Sequence, residues 1–194
     1  MVNIALVGCN GKMGKAVTSA VQSRNDCEIV FGADPFGTPA YDYPVFESLA
    51  VSDKKADVII DFSNPASLDD ILAYALEKKI PCVLCTTGYS PEQVEKIKKA
   101  SESVAVFYSG NMSLGINLLI ELSKEAAKIL GAADFDIEIV EKHHNQKIDA
   151  PSGTALMIAD GISDTLAEEP QYVYDRHSYR KKRSKNEIGI HSVR

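Results

Sequence analysis

The sequence has no tryptophan, and its 194 residues include only four cysteines and four histidines. No stretch approaches the roughly 20 consecutive apolar residues of a membrane-spanning helix, so no membrane association is expected. Met1-Val2-Asn3 runs straight into Ile4-Ala5-Leu6-Val7, with no basic segment and no separate apolar one. No secretory signal is read, and the cytoplasm is the expected compartment. The few histidines show neither H-x-x-x-H nor C-x-x-H spacing, which argues against a metal site. Cys82-Val83-Leu84-Cys85 does match C-x-x-C. However, Pro81 to Thr86 reads as a buried strand, and residues three apart on a strand face opposite sides of the sheet. Cys9, Cys27, Cys82 and Cys85 are therefore expected to be free, reduced thiols.

Positive charge is also scarce: 21 Lys/Arg against 27 Asp/Glu leave a formal net charge of −6. Seven of those basic residues crowd into 176–194 beside a single acid, Glu187, so the rest of the chain is more acidic still. An acidic body argues against a nucleic-acid binder. The basic segment reads as a solvated loop or as a contact for an anion.

Against these absences, residues 3–7 form a short apolar run that ends at Gly8, followed by Cys9-Asn10-Gly11-Lys12-Met13-Gly14 and a helical pattern carrying Val17, Ala20 and Val21. Strand, glycine turn and helix in that order are the context in which G-x-x-G-x-x-G suggests a dinucleotide. Gly8 permits the tight turn, Gly11 lets a pyrophosphate approach the backbone, and Gly14 lets helix and strand pack closely. The helix start offers N–H donors to the phosphates. A second strand, 28–33, ends at Asp34, twenty residues beyond Gly14, where an acid binds the adenosine ribose of NAD. Pro35 and Gly37 leave a plain turn aspartate as the other reading. With an acid there, and Lys12 partly offsetting it, NADH is expected with NADPH tolerated.

Residues 35–55 read as a loop with one short helix near 46–52. Strands then alternate with helices: 56–61, a helix started by Ser63 or Asn64 with Pro65, 81–86, a helix over 91–101, and 104–108. This alternation predicts a parallel sheet with helices on both faces. Its strand ends, at Gly8–Gly14, Asp34, Asp61-Phe62-Ser63, Thr86-Thr87-Gly88 and 109–113, are where a cofactor would collect.

A long helix over 114–130 is predicted, ended by Gly131, with Leu118, Leu119, Leu122, Ala126 and Ile129 facing a core. The domain boundary is placed at its start, giving a dinucleotide-binding domain over 1–112 and a substrate-binding domain over 113–194. Residues 135–141 alternate apolar and acidic, as in an antiparallel or mixed sheet with one solvated face. Residues 168–185 read as a loop. Residues 186–194 read as a strand at which the chain stops, so the second domain is expected to be incomplete at its C-terminus.

Between these lies Glu141-Lys142-His143-His144-Asn145-Gln146-Lys147-Ile148-Asp149-Ala150-Pro151-Ser152-Gly153-Thr154-Ala155. Two adjacent imidazoles can give or take a proton near neutrality. Lysine adds a proton or a fixed charge. Ser152, Gly153 and Thr154 begin a helix, expected to run to Leu166, whose N–H groups and hydroxyls suit a carboxylate. A small anionic substrate needing hydride and a proton fits this set.

The glycine turn Val7–Gly14, ending in Met-Gly, together with the 141–155 stretch, resembles the 4-hydroxy-tetrahydrodipicolinate reductase (dihydrodipicolinate reductase) family. Asp61-Phe62-Ser63, Thr86-Thr87-Gly88, Asn111-Met112-Ser113 and Ile188-Gly189-Ile190-His191-Ser192 are similar to it as well, so the resemblance spans the chain. It implies a Rossmann-type N-terminal domain followed by an α+β substrate and oligomerisation domain. It also implies NADH- or NADPH-dependent reduction of a small dicarboxylate in the diaminopimelate route to lysine, by a homotetramer. By motif position His143 would be proton donor or acceptor and Lys147 proton donor. His144 would contact substrate, and Ser152, Gly153 and Thr154 would hold its carboxylate. Gly8, Cys9, Asn10, Gly11, Lys12, Met13, Asp34, Cys85, Thr86, Thr87, Ser109, Gly110, Asn111 and Met112 would line the cofactor. Lys12 stands where the family often has arginine. Cys9 replaces a small residue, and its thiol at a helix start could be acidified. A non-catalytic nucleotide-binding module and another nicotinamide-dependent two-domain oxidoreductase are the rival readings.

Overall fold

The computed structural model describes residues 1–36, 41–174, 176–178 and 180–194. Gly37, used above to read a turn, and residues 38–40 of the loop read over 35–55 lie outside the described residues. The chain forms two compact units, Met1–Gly110 and Asn111–Arg194.

The first unit contains β1 (Val2–Val7), α1 (Lys12–Gln22), β2 (Cys27–Ala33), β3 (Val45–Phe46), β4 (Val58–Asp61), α2 (Leu68–Lys78), β5 (Cys82–Leu84), α3 (Pro91–Ser101) and β6 (Val106–Tyr108). Its sheet runs β3-β2-β1-β4-β5-β6, and every pairing is parallel. Alternation along β1 divides the core. Ile4 and Leu6 pack with Val17 and Val21 of α1. Ala5 and Val7 join Phe31, Ile59, Leu84 and the apolar sides of α2 and α3. Covering both faces is what a parallel sheet requires, because crossover helices must lie on it. Ala20, expected on the packed face of α1, is exposed, and buried Thr18 packs there instead. The short helix expected near 46–52 is a single 3-10 turn, Leu49–Val51, preceded by β3. Asn64 caps the 3-10 turn that leads into α2, and Ser90 and Gln93 form a capping box on α3.

The second unit contains α4 (Leu114–Ala132), β7 (Ile137–Lys142), α5 (Gly153–Ser163), β8 (Gln171–Val173) and β9 (Glu187–Val193). Its sheet has the order β7-β9-β8, and both pairings are parallel, not antiparallel or mixed. The alternation on β7 marks a single covered face. Ile137 and Ile139 pack with Ile188, Ile190 and the inner side of α5, while Val140 on the other face is 70% exposed. The segment expected to be all loop contains β8 and the 3-10 turn Arg176–Ser178. Helix α5 stops at Ser163, short of Leu166, though Leu166 still packs on that core.

Helix α4 departs most from expectation. It runs through Gly131 to Ala132, and Asp134, at φ 67°, makes the turn that follows. Its buried residue is Ala127, whereas Leu118, Leu119, Leu122, Ala126 and Ile129 are exposed. The helical spacing identified a continuous apolar face, but spacing does not say what covers it.

Candidate functional site

In the first unit the glycine turn has the geometry its spacing suggests. Gly8 has φ +76°, and a Cβ there would lie 2.5 Å from the Phe62 carbonyl oxygen. A Cβ on Gly14 would lie 2.3 Å from the Gly8 carbonyl oxygen, so α1 can approach β1 this closely only without a side chain. No side chain caps α1, whereas Ser90, Ser113 and Ser152 cap α3, α4 and α5. Its first N–H groups are left for another acceptor.

Asp34 ends β2 and joins the turn to it. One carboxylate oxygen accepts the Asn10 N–H at 3.0 Å, and the other accepts the Phe36 N–H at 2.9 Å. The turn role and a place at the site therefore coexist. A cleft of about 540 Å³ opens here, lined among others by Gly8, Gly11, Asp34, Phe36, Ser63 and Asn64. An uncapped helix start, a glycine turn and a carboxylate lining one cleft fit a dinucleotide. Lys12, Met13, Thr87 and Gly110 are exposed near strand ends, and Ser109 is half-buried.

Two cysteines expected to line the cofactor point their side chains inward. Cys9 is fully buried, and a Cβ on Gly32 would meet its Sγ at 2.6 Å. Burial, with Asp34 nearby, pushes its thiol up to about 11, the opposite of the acidification a helix start could give. Burial, with Asp61, does the same to Cys85, also to about 11. Both can offer a ligand only backbone. Thr86 is buried as well. All four cysteines are free. Asp61 is buried at the end of β4. It accepts hydrogen bonds from the Ser63 N–H at 2.9 Å, the Ser63 hydroxyl at 2.5 Å and the Tyr89 hydroxyl at 3.1 Å.

In the second unit, residues 141–155 leave β7 and return as α5. The His143 N–H donates to the Val193 carbonyl at 3.1 Å, extending the β7–β9 ladder by one residue. Its Nδ1 lies 2.5 Å from Glu141 Oε2. The His144 Nδ1 accepts the Gln146 N–H at 3.2 Å, turning that ring into the loop. Lys147 Nζ lies 2.7 Å from Asp149 Oδ1. The Asp149 carboxyl is held below its usual range, first by Lys147 and also by the Gly153 N–H. Ser152 is 2% exposed; its hydroxyl caps α5 at the Ala155 N–H and its own N–H donates to Glu141. Gly153 faces open space. Asn111, expected at the cofactor, lies in this unit, where its amide donates to the Thr154 hydroxyl at 3.0 Å.

Sequence reasoning gave Glu141 no role. Its place two residues before His143, on the covered side of β7, was the available signal.

A glycine-turn parallel sheet with a separate unit rich in proton-transfer groups defines a nicotinamide-dependent oxidoreductase. Residues 2–112 match the family described as Dihydrodipicolinate reductase, N-terminus, and residues 115–194 match Dihydrodipicolinate reductase, C-terminus. The chain belongs to the dihydrodipicolinate reductase family. It is 52% identical over 194 residues to the 4-hydroxy-tetrahydrodipicolinate reductase of Clostridium tetani, covering all of this chain and 75% of that protein. It is 47% identical to that of Clostridium novyi, covering 76% of it. The solved structure of dipicolinate-bound dihydrodipicolinate reductase from Paenisporosarcina sp. TG-14 superposes with a TM-score of 0.76 at 27% identity, covering 100% of this chain and 78% of that one. The function is therefore NADH- or NADPH-dependent reduction of 4-hydroxy-tetrahydrodipicolinate in diaminopimelate and lysine biosynthesis. Among the described residues no helix is long and apolar enough to cross a membrane.

Proposed function

We propose that residues 1–112 bind the nucleotide and residues 113–194 the substrate, with His143 and Lys147 handling the proton of the reduction. Bound NADH or NADPH supplies the hydride. The backbone of Gly8–Met13 accommodates the pyrophosphate, and Asp34 accepts the ribose hydroxyls. Thr86, Thr87, Ser109, Gly110 and Met112 complete the cofactor lining, with Cys9 and Cys85 contributing backbone alone.

One observation carries the substrate reading: the start of α5 already draws a carboxylate, that of Asp149, to Lys147 and the Gly153 N–H. A dicarboxylate substrate finds the same donors there, with Thr154 held alongside by Asn111. His144 contacts the ring substituents. As hydride reaches C4, the leaving hydroxyl departs as water and requires a proton. Lys147 is the donor with a charge already facing anionic oxygen, and His143 exchanges the proton with solvent.

The test follows NADH or NADPH absorbance with freshly made synthase product. His143→Ala and Lys147→Ala should each lower kcat about 10²-fold or more, the range of a lost general acid or base. Nucleotide affinity should be unchanged. Full turnover in both variants would remove these assignments. We further propose a cytoplasmic homotetramer, with neither nucleic acid nor membrane as partner. The open face of the second sheet, with Val140 70% exposed, supports assembly through that sheet. Sedimentation velocity tests it, and a monomer would refute it.

A further inference from the structure

The Glu141 carboxylate gathers four partners among the described residues. Besides His143 Nδ1, it receives the Ser152 N–H at 3.2 Å on Oε1 and the Arg194 guanidinium at 3.0 Å on both oxygens. Ser192, its register partner on β9, also donates to it. Arg194 further holds the Asp149 carbonyl. One carboxylate thus joins β7, β9, the start of α5 and the imidazole, with a side chain only 9% exposed. Burial pushes its pKa up, but the hydrogen bonds from Ser192, His143, Arg194 and Ser152 outweigh this and hold it at about 2.

An ionised carboxylate can only accept. The nitrogen facing it must therefore carry hydrogen, and the other nitrogen of the neutral ring is left with the lone pair. The same logic orients imidazoles in catalytic triads. We infer that Glu141 is a positioning residue for the reduction: it fixes His143 as the Nδ1–H tautomer, so that Nε2 is the atom that exchanges the proton. This rests on the placing of His143 in the proton-transfer role. The main chain of His143 is pinned independently by Val193, so Glu141 sets the ring and its tautomer more than the backbone.

Long-range proton–nitrogen correlation spectra of the full chain read the tautomer directly. Wild-type neutral His143 should show a protonated Nδ1 and an unprotonated Nε2. Glu141→Gln, which can donate to Nδ1, should shift the population toward Nε2–H and lower kcat about 10²-fold. Affinity for NADH, followed by tyrosine fluorescence, should hold. A wild-type ring protonated at Nε2 overturns the inference, and that measurement stands even if the variant does not fold. So does a folded Glu141→Gln with wild-type kcat when His143→Ala is inactive. Should His143→Ala itself turn over normally, the catalytic reading fails, while the spectrum still decides whether Glu141 sets the tautomer.

Discussion

At position 14 the fold admits no side chain. The atoms a Cβ would meet, the Gly8 oxygen at 2.3 Å and Cys9 Cα at 2.5 Å, are backbone and cannot rotate away. Gly14→Ala should therefore destabilise the first unit by about 3 kcal/mol, the upper range for overpacking. Gly153→Ala, with nothing within 4 Å of its Cβ, should stay within about 0.5 kcal/mol of wild type. Urea unfolding of the two variants checks the contrast, and equal midpoints would contradict it. Single residues were legible where their role is local. Gly8 and Gly14 are demanded by a tight turn whose sequence context is contiguous, and Asp34 sits at the end of its strand. Glu141 was not legible as the hub of its unit, because Ser152, Ser192 and Arg194 are brought to it by folding. That the helix start does not acidify Cys9 was hidden for the same reason: Gly32 and Tyr43, far along the chain, pack in one cluster with it.

Among elements, α5 matters most to the candidate site, since its first turn carries Gly153 and Thr154. Ser152 caps it from a buried position, and losing a hydroxyl cap costs about 1 kcal/mol. Ser152→Ala should lower stability by that amount in chemical denaturation and raise KM for substrate, while its backbone N–H still reaches Glu141. Unchanged stability would mean that another group satisfies the helix start. Helix α3 begins and ends where its sequence indicated, because Ser90, Pro91 and Gln93 mark its start within four residues. Strands β3 and β8 were not legible, because they lie in segments whose prolines and polar residues read as loop, whereas β5 and β6, hardly longer, sit in apolar runs. They exist through pairing with β2 and β9. On β7 the alternation reported one covered face correctly but says nothing of strand direction, and the strands proved parallel.

At the scale of the whole chain, each unit has its own core, and the two differ in how they meet acid. In the second unit Glu141 is held at about 2, and buried Glu187 is lowered by its hydrogen bond from Arg176. In the first, the lowered carboxyls Asp26 and Glu92 are exposed, where water and salt screen their partners. A carboxyl whose folded pKa lies below its unfolded value of about 4.3 contributes stability that is fully present above that value. That contribution is lost as pH falls through the folded pKa, because the unfolded chain takes up the proton first. Between about pH 4.3 and 2, then, the second unit should lose stability faster than the first. Hydrogen exchange over that window, corrected for intrinsic rates, should show amides of β7, β9 and α5 losing protection before those of β1 and β4. Glu187→Gln should narrow the gap, because an amide cannot titrate. Loss of protection in the opposite order would mean that the Glu141 and Glu187 networks do not govern the acid response.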